Sequence, residues 1–201
     1  MTYVSRLSAA LVLGLVACGA PSGDGNGTGV ASCKGRAYAE IGGPISLINQ
    51  DGEAVTEADF KGQPSMIYFG FAYCPDICPA TLATLERAYR RLPEGTTPPR
   101  TILISVDPER DTPDVLKSYI SSPGFPDDIV GLTGTDAQIR AAADAFYTDY
   151  TRVELPDSAA GYTMDHQSIV YLMDEAWSLQ TFFTHDSTDA SIASCLEEQL
   201  G

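Results

Sequence analysis

Ser65-Met66-Ile67-Tyr68-Phe69-Gly70-Phe71-Ala72-Tyr73-Cys74-Pro75-Asp76-Ile77-Cys78-Pro79 is the stretch that decides how this chain folds. Its first seven residues are a run of apolar and β-forming side chains without polar alternation. That is the pattern of a strand covered on both faces, as in a parallel sheet. Beyond it, Pro79 to Leu92 places Leu82, Leu85, Ala88, Tyr89 and Leu92 on one helical face. Cys74 and Cys78 therefore stand where a buried strand gives way to a helix. A thiol pair at such a turn binds a soft metal, exchanges disulfides or forms a fixed crosslink, and these residues alone leave the three open.

Working outward, strands and helices alternate. Thr101–Val106 is a second buried strand, and Thr112 caps a helix with Pro113 at its first position, running to about Ile120. Ile129–Leu132 is a third strand, and the Thr135/Gln138 capping box opens a helix to about Tyr147. Upstream, Pro44–Asn49 and Glu53–Val55 form a hairpin around Asp51-Gly52, and Thr56 caps a short turn through Phe60. Downstream, Ser168–Met173 and Ser178–Phe183 pair around Asp174-Glu175, and Thr188 caps a last helix, Asp189–Leu200. The order predicts an α/β, thioredoxin-like fold with a mainly parallel central sheet, an added N-terminal hairpin and a C-terminal hairpin plus helix.

The N-terminus reads as a targeting segment. Arg6 precedes the apolar run Leu7–Ala17, which is too short to span a bilayer and suits a cleaved signal. Leu15-Val16-Ala17-Cys18 resembles the lipobox of bacterial lipoproteins. The resemblance implies a signal peptide over residues 1–18 and a lipidated Cys18 that anchors the chain in the cell envelope, facing the periplasm or extracytoplasmic side. Residues 19–32, rich in Gly and Ser, read as a flexible tether, and residues 33–201 as one domain. Losing Arg6 with the signal takes the net charge from −15 to −16. So acidic a domain repels nucleic acid and anionic surfaces. Of the five cysteines, Cys33 and Cys195 remain, one at each end of the domain; whether they pair and pin the termini stays open.

Helical spacing puts Cys74 and Cys78 one turn apart on one face, where the helix start favours thiolate and Asp76 opposes it. Two thiolates suit Cu(I), or Zn(II) if more ligands join, and a third ligand separates a metal site from a redox pair. There are two histidines. His166 lies immediately before a core strand, where by itself it reads as a structural residue. His185, among Asp186, Ser187 and Asp189, reads as a solvated loop position. Asp107-Pro108-Glu109-Arg110-Asp111 invites a calcium reading, but Thr112 and Ser118 occupy the positions that need Gly and Glu. It reads instead as a strand exit held by Asp caps and an Arg110 ion pair.

Tyr68-Phe69-Gly70-Phe71-Ala72-Tyr73-Cys74-Pro75-Asp76-Ile77-Cys78-Pro79 resembles the signature of the Sco (SenC) copper proteins. Ile104-Ser105-Val106-Asp107-Pro108-Glu109-Arg110-Asp111-Thr112-Pro113 resembles a second block of that family, Gly131-Leu132-Thr133-Gly134 a third, and Asp165-His166 ahead of Tyr171-Leu172 a fourth. The likeness runs from about Gly42 to Phe183. It implies a membrane-anchored domain holding one copper ion through Cys74, Cys78 and His166. Two thiolates and a neutral imidazole carry −1 with Cu(I) and are neutral with Cu(II), so the site suits either state, with sulfur favouring Cu(I). The implied task is non-enzymatic: taking copper from a donor and maturing the dinuclear copper (CuA) centre of cytochrome c oxidase on its copper-accepting subunit. Ala72-Tyr73 stands where Thr-His is common, and Gln167 where Ser is usual. The alternative is a thiol–disulfide oxidoreductase that keeps the oxidase copper-site cysteines reduced. Against it stand the C-x-x-x-C spacing and the lack of a proline before Ser168. A copper-dependent redox sensor is a third class.

Overall fold

Turn chemistry sets the first elements. β1 (Ser46–Asn49) and β2 (Ala54–Thr56) reverse at Gly52, whose φ of +81° only glycine adopts without strain. Asn49 Oδ1 accepts from the Asp51 and Glu53 N–H groups, both at 2.9 Å, and fixes the register of this hairpin. The structure, a computed structural model, describes Cys33 and residues 40–200. The expected signal peptide, Cys18 and the 19–32 tether lie outside the described residues.

The deciding stretch forms β3 (Ser65–Gly70), every residue of it buried, and then α1 (Ile77–Tyr89). This helix starts two residues before the expected Pro79. It ends at Tyr89 because the Arg91 and Leu92 N–H groups bond three residues back, in a tightened last turn. β4 (Arg100–Ser105), α2 (Pro113–Ile120), β5 (Ile129–Thr133) and α3 (Asp136–Ala145) follow. Thr112 caps α2 by accepting from Val115 N–H, and Thr135 with Gln138 closes the capping box of α3. Tyr147, at φ 51°, cannot continue that helix.

Next comes a hairpin that sequence reading did not anticipate, β6 (Tyr150–Leu155) and β7 (Gly161–His166). β8 (Ile169–Met173), β9 (Leu179–Thr184) and α4 (Asp189–Leu200) complete the domain. Seven strands form one sheet in the order β2-β1-β5-β4-β3-β8-β9, and β6-β7 form a separate pair. Parallel pairing joins β3 to β4 and β4 to β5, while both flanks are antiparallel. The thioredoxin-like sheet is therefore mixed, with a parallel centre. α1 and α2 cover one face, where Gly70 meets Cys78 and Gly131 meets Leu116. On the other, Phe69 packs against Phe146 and Tyr171. No helix among the described residues is long and apolar enough to cross a membrane.

Cys33 and Cys195 are buried and joined as a disulfide, their Cα atoms 5.2 Å apart. The bond closes a loop with a sequence separation of 162 and ties the start of the domain to α4. Reduction, or Cys33→Ser, is expected to lower stability by about 2–5 kcal/mol through the freed unfolded chain. Thermal melts with and without reductant measure this, and mass spectrometry of an unreduced digest should show the linked peptides.

Candidate metal centre

Strand direction assembles the site. β3 and β4 run parallel in the register Gly70↔Ser105, so the Cys74 loop and the Asp107 loop leave the sheet at the same end. β8 runs antiparallel to β3 with Tyr68↔Val170, so its first residues lie at that end as well. His166, last residue of β7 and three before β8, is thereby delivered to the thiols across 88 residues of sequence. The structure brings Cys74, Cys78 and His166 together with all three ligand atoms within 4.8 Å of one another. His185, the other histidine, is exposed beyond β9.

The two thiols do not share a helical face as their spacing suggested. Cys78 lies in the first turn of α1, whereas Cys74 precedes the helix. Asp76, at the N-cap, makes no side-chain capping bond. Instead Cys74 Sγ accepts the Cys78 backbone N–H at 3.3 Å, so a sulfur satisfies one of the helix's unpaired donors. Cys74 is pulled from 9.0 to about 4, first by the hydrogen bond from Cys78 and further by His166 and backbone N–H groups. Cys78, completely buried, is pushed well up because it holds the proton facing Cys74 and is desolvated. The exposed Asp76 carboxylate does not outweigh these bonds.

His166 Nδ1 lies 3.3 Å from the Gln167 carbonyl oxygen, which can accept a hydrogen bond from an Nδ1–H. Nε2 faces Cys78 Sγ at 3.5 Å. Tyr68 and Phe71 stand edge-on to the imidazole, with ring centres 6.0 and 5.8 Å away. These walls exclude water from the buried side and hold the ring in place. Gln167, where the resembled family usually has Ser, contributes only its main-chain carbonyl to this orientation. Tyr68 Oη is buried without a hydrogen-bond partner among the described residues, and burial drives its pKa upward, so it stays a neutral phenol.

Behind the thiols, buried Asp111 Oδ2 accepts from the Ala72 N–H at 2.9 Å and from the Ser105 hydroxyl at 2.6 Å. The strand exit is held by Asp107 and Arg110 as read from the sequence, with an Arg110–Asp107 ion pair. Sequence reasoning missed the bond from Asp111 to the Cys74 loop, and also the β6–β7 hairpin that carries His166. The hairpin's signal is present in Arg152-Val153-Glu154-Leu155, which alternates polar and apolar before Gly161. Its Val153 and Leu155 remain partly exposed, so it has no apolar face of the kind that marks a core strand.

With this geometry in view, the comparisons place the chain. The SCO1/SenC family description matches residues 34–201, and the chain belongs to that family. It is 38% identical over 158 residues to the SCO2-like protein of Rickettsia felis, covering 79% of this chain and 76% of that one. It is 39% identical over 168 residues to Protein SenC of Rhodobacter capsulatus, covering 81% and 73%. The structure superposes on Arabidopsis thaliana ScoI, solved with copper bound, at a TM-score of 0.74 and 35% identity, over 79% of this chain and 97% of that one.

Two outcomes test the site as described. A Cβ at Gly70 would meet Tyr68 Cε1 at 2.9 Å and Cys78 Sγ at 3.2 Å, both buried. Gly70→Ala is therefore expected to cost about 1–3 kcal/mol by overpacking, measured by denaturant melts. The second concerns Cys74: its folded value lies below the ordinary one, so the thiolate's contribution to stability is full above pH 9.0 and is lost as pH falls towards about 4. Thiolate ultraviolet absorbance of the metal-free protein should titrate out near that lower value, and this step should vanish in Cys74→Ser.

Proposed function

We propose that this protein is a copper chaperone that holds one copper ion on Cys74, Cys78 and His166 and passes it on during assembly of the dinuclear copper centre of cytochrome c oxidase. The observation that carries this reading is the convergence of two sulfurs and an imidazole nitrogen within 4.8 Å. Donor atoms sharing one ion at about 2.0–2.3 Å stand about 3–4 Å apart, so the three need close by no more than about an ångström. Two thiolates and an imidazole are a soft donor set of the kind that selects Cu(I). Walls of Tyr68 and Phe71 on one side, and few ligands on the other, leave room for a partner's sulfur to enter and take the ion.

Binding displaces the proton held by Cys78. Copper loading is thus linked to pH and strengthens as pH rises. The proposed chaperone is held at the cell envelope by lipid on Cys18, with the acidic domain on the extracytoplasmic side.

A thiol–disulfide oxidoreductase is the second reading, favoured by the division of labour between the two cysteines. One is a low-pKa thiolate and the other a buried protonated thiol, which is the pairing that disulfide exchange uses.

His166→Ala separates the two. The chaperone reading expects Cu(I) affinity to fall by two orders of magnitude or more, measured by competition with a chromogenic chelator, while the dithiol remains oxidisable. Unchanged copper binding would remove His166 from the ligand set. Turnover of protein disulfides without copper would favour the oxidoreductase.

A further inference from the structure

Consecutive residues of the strand-exit loop grip the two segments that supply the ligands. Asp111, buried without measurable exposure, takes the Ala72 N–H and so holds the loop two residues before Cys74. Arg110 reaches the other segment. Its Nη1 donates to the Tyr162 carbonyl at 3.2 Å, and its guanidinium lies 3.7 Å from the Tyr162 ring centre. Tyr162 is in β7, four residues before His166, and its hydroxyl donates to Asp107 at 2.7 Å. Arg152 lies 3.6 Å from the same ring. Two cations cannot share one face at that distance, so the ring is sandwiched between them. Arg110 also lies 4.9 Å from the ring of Tyr73, the neighbour of Cys74.

The β6–β7 pair needs such a hold. It is not hydrogen-bonded into the seven-stranded sheet, and Tyr162 is the one buried residue of its two strands. Arg140 of α3 steadies its start, stacking 3.8 Å from Tyr150 and donating to the Tyr150 carbonyl. That contact does not reach the Cys74 loop. Arg110 touches both sides by itself. Its Nη2 is buried with no hydrogen-bond partner among the described residues, so the side chain is held by its faces as well as by its N–H groups.

We infer that the Asp107–Asp111 loop is a clamp that fixes the separation of the Cys74 loop and the His166 hairpin, with Arg110 as the positioning residue joining the two. The inference deepens the copper-site reading and rests on it. Arg110 touches no ligand atom and acts through where it holds His166.

The test is a double-mutant cycle in the full chain. Arg110→Gln is expected to weaken Cu(I) binding about 10–100-fold, the usual effect of removing a group that orients a ligand. The same substitution made in His166→Ala should change affinity little, since the ligand it positions is gone. In the metal-free protein, hydrogen exchange across residues 150–166 should speed up while β3 and β4 stay protected. Arg110→Lys keeps the charge but not the planar face or forked donors. It should show the same pattern more weakly, and it serves as the test if the Gln variant does not fold. Wild-type copper affinity in both Arg110 variants, or an equal loss with and without His166, would overturn the clamp. Loss of copper by His166→Ala with no effect from Arg110 would sink the clamp alone. Unchanged copper in His166→Ala would sink the ligand reading, and the exchange data would then decide whether the hairpin is clamped at all.

Discussion

The antiparallel placement of β8 beside β3 is the constraint on which the rest of this structure depends. β3 enters the sheet parallel to β4 and leaves it at the end where Cys74 and Cys78 lie. Had the following strand also run parallel to β3, the residues before it would lie at the opposite end of the sheet. The reversal at Tyr68↔Val170 puts the start of β8 at the sulfur end. The segment before β8 then carries its imidazole into contact with Cys78. Cooperative sheet pairing thus does the work that short sequence spacing does in a zinc finger, where ligands are near neighbours along the chain.

A second layer of control is electrostatic. The pair of thiols shares a proton unequally, because one sulfur accepts a helix N–H while the other is sealed under Tyr68 and Gly70. This arrangement keeps one sulfur ionised and the other protonated. The same buried end holds Asp111, whose carboxyl is raised by burial yet anchored by Ser105 and Ala72. Asp111 is tolerated in such a place because its Oδ2 holds the Cys74 loop through Ala72 and is itself anchored by Ser105.

Much of the fold was legible in the chain. The unbroken apolar run at 65–71, the caps at Thr112 and Thr135 and the Asp51-Gly52 turn correspond to β3, α2, α3 and the first hairpin. The helix after the cysteines was misjudged at its start, since Pro79 fits a helix's first positions but Ile77 already adopts them. With the start at Ile77, Cys78 lies inside the helix and Cys74 outside it, so Cys74 is a sulfur cap and not a helical neighbour of Cys78. The β6–β7 hairpin was missed because sequence periodicity reports burial, and Tyr162 is the one buried residue of these strands.

The residue types alone determined the chemistry on offer: soft sulfur at a strand–helix turn, two imidazoles elsewhere in the chain, and a net acidic composition. Local pattern also determined which segments are strands and helices, because capping and hydrophobic periodicity act over a few residues. Only the tertiary structure decided that His166 meets Cys78, that Asp111 holds the Cys74 loop and that Arg110 bridges the two sides. Those contacts join segments tens of residues apart, and their existence depends on strand order and direction, which no local pattern encodes.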